Sequence, residues 1–517
     1  MKNSATLLCL ILMLAITNAL AAQSSPTGNQ AKPNIIYILA DDLGYGELGV
    51  YGQQKIETPN IDALAKNGMR FMQHYAFPVC APSRYLLLTG IHSGHAFIRG
   101  NDEWDERGDV WNFKAMEANP YLEGQYPIPG NTVTVAKVLK KAGYATGIVG
   151  KWGLGAPMSA GAPNNQGFDY FFGFICQRQD HTYYPGHLWE NNTRIPLNNK
   201  VADPNVRFPK GLDSLDPANY AVYQQHDYAP NLLIDAALQF IDKNKDHPFF
   251  LYYPSPLPHT SLQAPQKWVD YYHKKFGDEA PFLGGGYFPC RYPHATCAAM
   301  ISTLDEGVGK IVAKLKELHL YNNTIIMFCS DNGPTYEGGT DPEWFDAAGP
   351  FKSSYGWGKG SLHEGGIREP FIVQWPGKIK PATTSNLVSA TWDFMPTICQ
   401  LTGQPAPAGI DGISYLPELL GQNTAQRGHP YLYFEFPGYG GQQAVRMGKW
   451  KALRTNMQKG NLTIQLFNLD DDIQELHDVA AQHPDIVKQM AAIMQQQHST
   501  PQVSSFNIQP LDGVGKE

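Results

Sequence analysis

The chain has 517 residues, 43% of them apolar and 17% charged, which suits a globular protein with one large core and a smaller companion. A net charge of −7 and the lack of a basic stripe exclude a general nucleic-acid binder. An anionic ligand must therefore be held locally, by a cluster of lysine, arginine or metal.

Lys2 precedes an apolar run that ends at Ala19-Leu20-Ala21. A basic start, a short apolar stretch and a small-residue end read as a secretory signal over residues 1–22. The run is short for a membrane span, so the mature protein is expected to be periplasmic or secreted, without stable membrane insertion. Export permits disulfides. Cys290 and Cys297 flank Arg-Tyr-Pro-His-Ala-Thr and are placed for a local bridge, whereas Cys329 and Cys399 sit in apolar runs and read as buried thiols.

In chain order, Asn-Ile-Ile-Tyr-Ile-Leu-Ala (34–40) is a near-continuous apolar strand, the kind buried on both faces of a parallel sheet. Residues 58–68 follow as a helix, with Thr58 as N-cap, Pro59 in the first turn and Gly68 past the end. Residues 131–144 form a helix leading into the strand Ala-Thr-Gly-Ile-Val-Gly (145–150). A helix over 229–244 feeds the strand 248–254, and one over 298–318 feeds the strand 324–330. Repeated strand–helix units of this kind predict an α/β fold with a large, mainly parallel sheet covered by helices, over residues 31–403. Gln-Pro-Ala-Pro-Ala-Gly (404–409) reads as a linker, and the strands and closing helix beyond it predict a smaller C-terminal α+β subdomain over 410–505 with an antiparallel sheet.

In open α/β sheets the ligand lies beyond the carboxyl ends of the strands. Asp41 and Asp42 follow the first strand, Lys151 the one ending at 150, His259 the one ending at 254, and Asp331 and Asn332 the one ending at 330. Singly, each has an ordinary reading as a turn former or loop residue. Together, three carboxylates and an amide oxygen suit a hard divalent cation such as Ca²⁺; without one they would raise each other's pKa. Lys359, in Gly-Lys-Gly-Ser-Leu-His, is a candidate for the same face. Cys80 precedes Ala-Pro-Ser-Arg, where Pro82 fits a first helical turn and Gly90 a stop, so Cys80 falls at a helix N-terminus with Arg84 one turn on. Cys80 reads either as a buried thiol under the helix start or as a reactive group.

Cys-x-Pro-Ser-Arg followed by Leu-Thr-Gly resembles the signature of the type I sulfatases, in the alkaline phosphatase superfamily. "PNIIYILADDLGYGELGVYG", "GIVGKWGLG", "PHTSL", "CSDNGP" and "GKGSLHEGGIREP" stand in the order of that family, so the resemblance covers most of the mature chain. It implies an alkaline-phosphatase-like fold and hydrolysis of sulfate esters, with carbohydrate O-sulfates the expected substrates. It further implies that a maturation enzyme converts Cys80 to formylglycine, and that Asp41, Asp42, Asp331 and Asn332 hold Ca²⁺. Arg84 would steady the formylglycine hydrate, Lys151 and Lys359 would bind sulfate oxygens, and His259 would protonate the leaving oxygen. One position departs: the family usually reads Gly-Lys-Trp-His, and here Gly153 stands in place of the histidine. His363 is a candidate substitute.

The stretch 174–194 has no helical or strand period and is dense in arginine, histidine and aromatic residues. Arg178, His181 and His187 are expected to recognise the sugar there. Two other readings share these residues, a phosphate or phosphonate monoester hydrolase and a non-catalytic binder of sulfated glycans.

Overall fold

Asn34–Ala40 is buried along its whole length, which explains an apolar run without alternation. Ile35, Tyr37 and Leu39 face one core, while Ile36, Ile38 and Ala40 face another on the opposite side of the sheet. The computed structural model describes residues 32–513. The expected signal at 1–22 lies outside the described residues. No described helix is long and apolar enough to cross a membrane.

The strands of the large sheet are β1 (Asn34–Ala40), β2 (Met69–Tyr75), β3 (Ala145–Lys151), β4 (Tyr170–Phe174), β5 (His187–Glu190), β6 (Thr193–Pro196), β7 (Phe249–Pro254), β8 (Thr324–Ser330), β9 (Arg368–Gln374), β10 (Thr383–Ser385) and β11 (Ser389–Ala390). Their order is β10-β2-β9-β8-β1-β7-β3-β4-β5-β6, with β11 also paired to β2. The central run β8-β1-β7-β3-β4 is parallel throughout. Antiparallel pairs extend it on both sides, through β9 and through β5.

Among the described residues the α-helices of seven residues or more are α1 (Pro59–Lys66), α2 (Cys80–Thr89), α3 (Val135–Lys141), α4 (Ala229–Lys243), α5 (Gln266–Phe276), α6 (Pro293–Glu317), α7 (Phe394–Thr402) and α8 (Pro484–Gln497). Buried side chains of α2, α3 and α7 fill one core, and those of α1, α4, α5 and α6 fill the other. The result is an alkaline-phosphatase-like α/β fold, a mostly parallel sheet between two helical layers with a separate antiparallel sheet. Thr58 is the N-cap residue of α1 with Pro59 in its first turn, as expected, but its side chain makes no capping hydrogen bond. Its hydroxyl donates to Asp62 and accepts from Gly49, and Asp305 of α6 caps the helix instead, accepting from Asn60 and Ile61 N–H at 2.9 and 2.8 Å. Cys290 and Cys297 are separate buried thiols, not a bridge; Cys290 Sγ lies 3.3 Å from Thr296 Oγ1.

The second sheet is antiparallel, in the order β12 (Leu432–Phe436), β13 (Gln442–Met447), β14 (Trp450–Arg454) and β15 (Gln465–Asn468). Tyr433, Val445, Ala452 and Leu466 pack on α8 through Met490 and Met494. Phe434, Phe436, Ala444 and Phe467 point the other way, into the core that α2 and α7 share. Both faces are thereby covered, and residues from Asn34 onward form one compact unit.

Candidate active site

Because β8, β1, β7 and β3 are adjacent and parallel, their carboxyl ends deliver side chains to one edge. Ala40 is in register with Ser330, so Asp41 and Asp42 stand beside Asp331 and Asn332. Asp331 N–H donates to the Ala40 carbonyl (3.1 Å), and Asp42 N–H to Asp331 Oδ1 (3.2 Å). Asp42 takes the left-handed conformation at φ 64°, which aspartate tolerates better than most residues. Its carboxylate accepts from Asn332 Nδ2 and Lys359 Nζ, each at 2.8 Å.

Helix α2 starts at Cys80, with Val79 as N-cap, and ends at the left-handed Gly90, as its sequence predicts. Cys80 Sγ lies 3.3 Å from Asp41 Oδ1 and 3.9 Å from Lys151 Nζ. Burial pushes its thiol well above the ordinary range, and the Asp41 charge adds to this. Arg84 is fully buried one turn on. Its guanidinium bonds Asp41 (3.0 Å), Asp331 (2.8 Å) and the Lys151 carbonyl (2.8 Å), so it positions the acids as well as lying near Cys80. Lys151 Nζ pairs with Asp41 at 2.6 Å. His259 Nε2 stands 3.7 Å from Asp42, and Nδ1 donates to the Thr260 carbonyl at 2.5 Å.

Charge is unevenly balanced here. Burial raises the Asp41 carboxyl, but Lys151 and Arg84 prevail and hold it well below the usual carboxylate range. Burial wins at Asp42, which is raised, and burial together with the Asp41 charge lifts Asp331 to about 7. Asn332 Oδ1 is buried with no hydrogen-bond partner among the described residues. Crowded carboxyls and an orphaned amide oxygen are the donor set of a hard cation. Ligand atoms of Asp41, Asp42, Cys80 and His259 all lie within 4.8 Å of one another. Asp331 adjoins this group but is also engaged by Arg84.

A sulfatase family model matches residues 33–404, and a model described as N-sulphoglucosamine sulphohydrolase, C-terminal, matches residues 354–500. The chain belongs to the sulfatase family. It is 32% identical to N-acetylgalactosamine-6-O-sulfatase of Bacteroides thetaiotaomicron, over 96% of this chain and 99% of that one. It is 33% identical to human arylsulfatase A, over 81% of this chain and 74% of that one. Among solved structures it resembles Ps i-CgsB at 28% identity and TM-score 0.70, covering 93% of this chain and 94% of the other; the same protein in complex with k-i-k-neocarrahexaose gives 0.69. This sulfatase is thus a sulfuric ester hydrolase.

Two residues at its centre escaped the sequence reading. Asp180, fully buried, places Oδ2 3.1 Å from Lys151 Nζ but off the hydrogen-bond direction, so neither oxygen has a hydrogen-bond partner among the described residues. Burial lifts its carboxyl to about 7 despite Lys151. Tyr183 shares its one hydroxyl proton between the carbonyls of Pro256 and His259, at 2.6 Å each, and so braces the turn that carries His259.

The three residues expected on the sugar-binding loop separate. His181 comes to the centre, its ring stacked on His259 with centroids 5.2 Å apart. Burial and then the neighbouring His259 and lysines push His181 well below its ordinary pKa. Arg178 is held by the Val110 carbonyl and lies 5.4 Å from the Trp111 ring, outside this cluster. His187 does not reach the centre either. It is buried between Glu117 (3.3 Å), Glu123 (2.9 Å) and Gln179, where the glutamates overcome burial and raise its pKa. Its ring buttresses β5 and is not placed to recognise sugar.

His363 does not stand in for the missing histidine. It stacks on Trp357 at 4.7 Å, Nδ1 lies 2.7 Å from Ser361 Oγ, and burial pushes it down to about 3. It helps line a pocket of about 380 Å³ beside Lys359, with Tyr336, Glu337, Tyr355, Tyr439 and Asn456. Tyr439, between β12 and β13, and Asn456, after β14, show that the second sheet builds one wall. Another cluster, His92, His95 and Asp411, lies elsewhere. His92 Nδ1 accepts from Gly94 N–H, so Nε2 carries the proton and donates it to Gln497; hydrogen bonding accounts for that cluster.

Proposed function

We propose that this sulfatase is an exported enzyme that removes O-sulfate from carbohydrates, with a formylglycine made from Cys80 by a maturation enzyme and a Ca²⁺ held by Asp41, Asp42, Asp331 and Asn332. The observation that carries this reading is the juxtaposition of Cys80 and the acidic cluster with a tyrosine-walled pocket beside Lys359. Tyrosine faces and neutral polar side chains suit sugar rings. The names of the Bacteroides relative and of the neocarrahexaose complex support the same substrate class.

A bound divalent cation would offset the three carboxylates and polarise a sulfate oxygen. A formylglycine at residue 80 would supply, as its hydrate, a hydroxyl nucleophile for the sulfate ester. The remaining work falls to the chain's own groups. Lys359 uses one of its three N–H donors on Asp42 and offers the others to a sulfate oxygen. Lys151, paired with Asp41 and Asp180, offers a second positive charge 3.9 Å from Cys80 Sγ. His259 is held neutral by burial and by the two lysines, with its Nδ1 proton on Thr260. An anionic ester seated beside those lysines offsets their charge, raises the imidazole pKa and favours the protonated ring that can hand a proton to the leaving sugar oxygen.

Mass spectrometry of the peptide that contains residue 80 tests this directly. Protein from a host with the maturation enzyme should carry an aldehyde there, and protein from a host without it a thiol and little activity. Full activity with only unmodified cysteine would defeat the mechanism. Turnover of aryl phosphate faster than aryl sulfate would favour the phosphate-ester reading.

A further inference from the structure

The pocket beside Lys359 is unusual in its charge. Of the described residues that line it, Lys359 is the only cation at neutral pH and Glu337 the only carboxylate, since burial keeps His363 neutral. Lys359 forms the end nearest the catalytic centre through its bond to Asp42. Glu337 is exposed, and Tyr355 and Tyr439 are 82% and 64% exposed, which makes these three the rim. Tyr287 holds Glu337 in place: its hydroxyl donates to Glu337 Oε2 at 3.0 Å, and its ring packs edge-on against His259. The second carboxylate oxygen retains its lone pairs for a ligand.

We propose that Glu337 is a specificity-determining residue, which limits the substrate to a sugar whose only negative group near the pocket is the ester under attack. The inference rests on the carbohydrate-sulfatase reading and adds the charge class of the sugar. A sulfate at the inner end meets Lys359, Lys151 and the acid-bound cation site. A second sulfate or a uronate carboxylate at the rim meets Glu337 and no lining cation, and like-charge juxtaposition is how a site rejects a competitor. A hydroxyl, an N-acyl N–H or an ammonium at the same place donates to the carboxylate. The favoured sugar is therefore a monosulfated hexose or hexosamine that carries no acid.

The test compares kcat/KM of the full-length, matured wild type with Glu337→Gln and Glu337→Lys. The substrates are a singly O-sulfated N-acetylhexosamine and its disulfated counterpart, with aryl sulfate as the reference rate of each protein. Wild type should prefer the monosulfated sugar by on the order of tenfold or more, Glu337→Gln should shrink that ratio, and Glu337→Lys should shrink it further or invert it. A ratio that stays the same across all three proteins, or a wild type that prefers the disulfated sugar, overturns the role of Glu337 while leaving carbohydrate hydrolysis standing. Cleavage of aryl sulfate with no turnover of any sulfated sugar overturns the carbohydrate reading and this inference with it.

Discussion

Gln177 Nε2 lies 2.3 Å from the point that a β-carbon on Gly153 would occupy. Gly153 adopts φ 74°, a conformation that costs an L-residue about 1 kcal/mol or more. The loss of the usual histidine is therefore built into the packing: a side chain at 153 must both strain the backbone and displace a buried glutamine. Gly153→Ala should lower stability by about 1–3 kcal/mol, read as a fall in Tm. Adding Gln177→Ala should recover part of that loss, because the clash goes while the backbone strain stays. Strictly additive effects of the two changes would show that the contact does not matter.

Asp180 acts through Lys151. Replacing its carboxyl leaves Asp41 as the one carboxylate paired with Lys151 among the described residues. Asp180→Asn should lower kcat/KM on aryl sulfate by on the order of tenfold to a hundredfold, a loss of ~1.4–2.7 kcal/mol in transition-state stabilisation. Asp180→Glu, which keeps the charge, should retain more activity than Asp180→Asn, and an unchanged rate in the isosteric Asn variant would show that the charge does not matter. Bound metal measured alongside should be unchanged, since Asp180 pairs with Lys151 and is not in the ligand group of Asp41, Asp42, Cys80 and His259.

The strand-end rule found Asp41, Asp42, Lys151, His259, Asp331 and Asn332 because each comes after a long apolar strand whose burial is plain in its composition. Four strands carry that signal and the fifth does not. β4 reads Tyr-Phe-Phe-Gly-Phe, too short and too glycine-broken to stand out, yet it runs parallel to β3, so its carboxyl end opens on the same edge. Treated as a strand end, Ile-Cys-Gln-Arg-Gln-Asp-His would have placed Asp180 and His181 at the centre. His187 looked equally suitable by residue type. Only its position on β5, facing Glu117 and Glu123, shows a structural role, and no local pattern encodes contacts made 64 to 70 residues away. The pocket wall at Tyr439 and Asn456 was illegible for the same reason, because it depends on how the second sheet docks.

The acidic cluster predicts a change of sign. Without a cation, Asp331 is a carboxyl lifted to about 7 by burial and by Asp41, so its charge is a liability to the fold. Asp331→Asn should then leave Tm of chelator-treated protein unchanged or raise it. With Ca²⁺ present the same substitution should lower Tm and weaken metal retention, because a ligand is lost. Calcium should raise the Tm of wild type by several degrees and of Asp331→Asn by less. Equal calcium shifts in the two proteins would remove Asp331 from the metal site.

Lys451 of β14 is fully buried and pairs with Glu364 at 2.9 Å and Glu475 at 3.1 Å. Glu364 directly follows the segment from Lys359 to His363, so this pair fastens the wall of the pocket to the second sheet. Lys451→Met removes the cation shared by Glu364 and Glu475, leaves Glu364 to Arg368 and Arg446, and should cost about 3–5 kcal/mol. A pH signature separates this loss from a simple packing defect. Burial raises Glu364, but Lys451, Arg368 and Arg446 prevail and hold it near 2, below its ordinary 4.5. A carboxyl depressed in the folded state stabilises the fold above its unfolded pKa and loses that contribution as pH falls through the folded one. Wild type should therefore lose on the order of 3 kcal/mol from this group between about pH 4.5 and 2. Glu475, lifted to about 7 by burial, contributes the opposite slope between about pH 4.5 and 7. Denaturant unfolding of Lys451→Met should show a shallower fall in stability below pH 4.5 than wild type, together with a raised KM for sulfated sugar as the pocket wall loosens. A parallel pH curve, offset by a constant amount, would mean that Glu364 is held by the arginines alone.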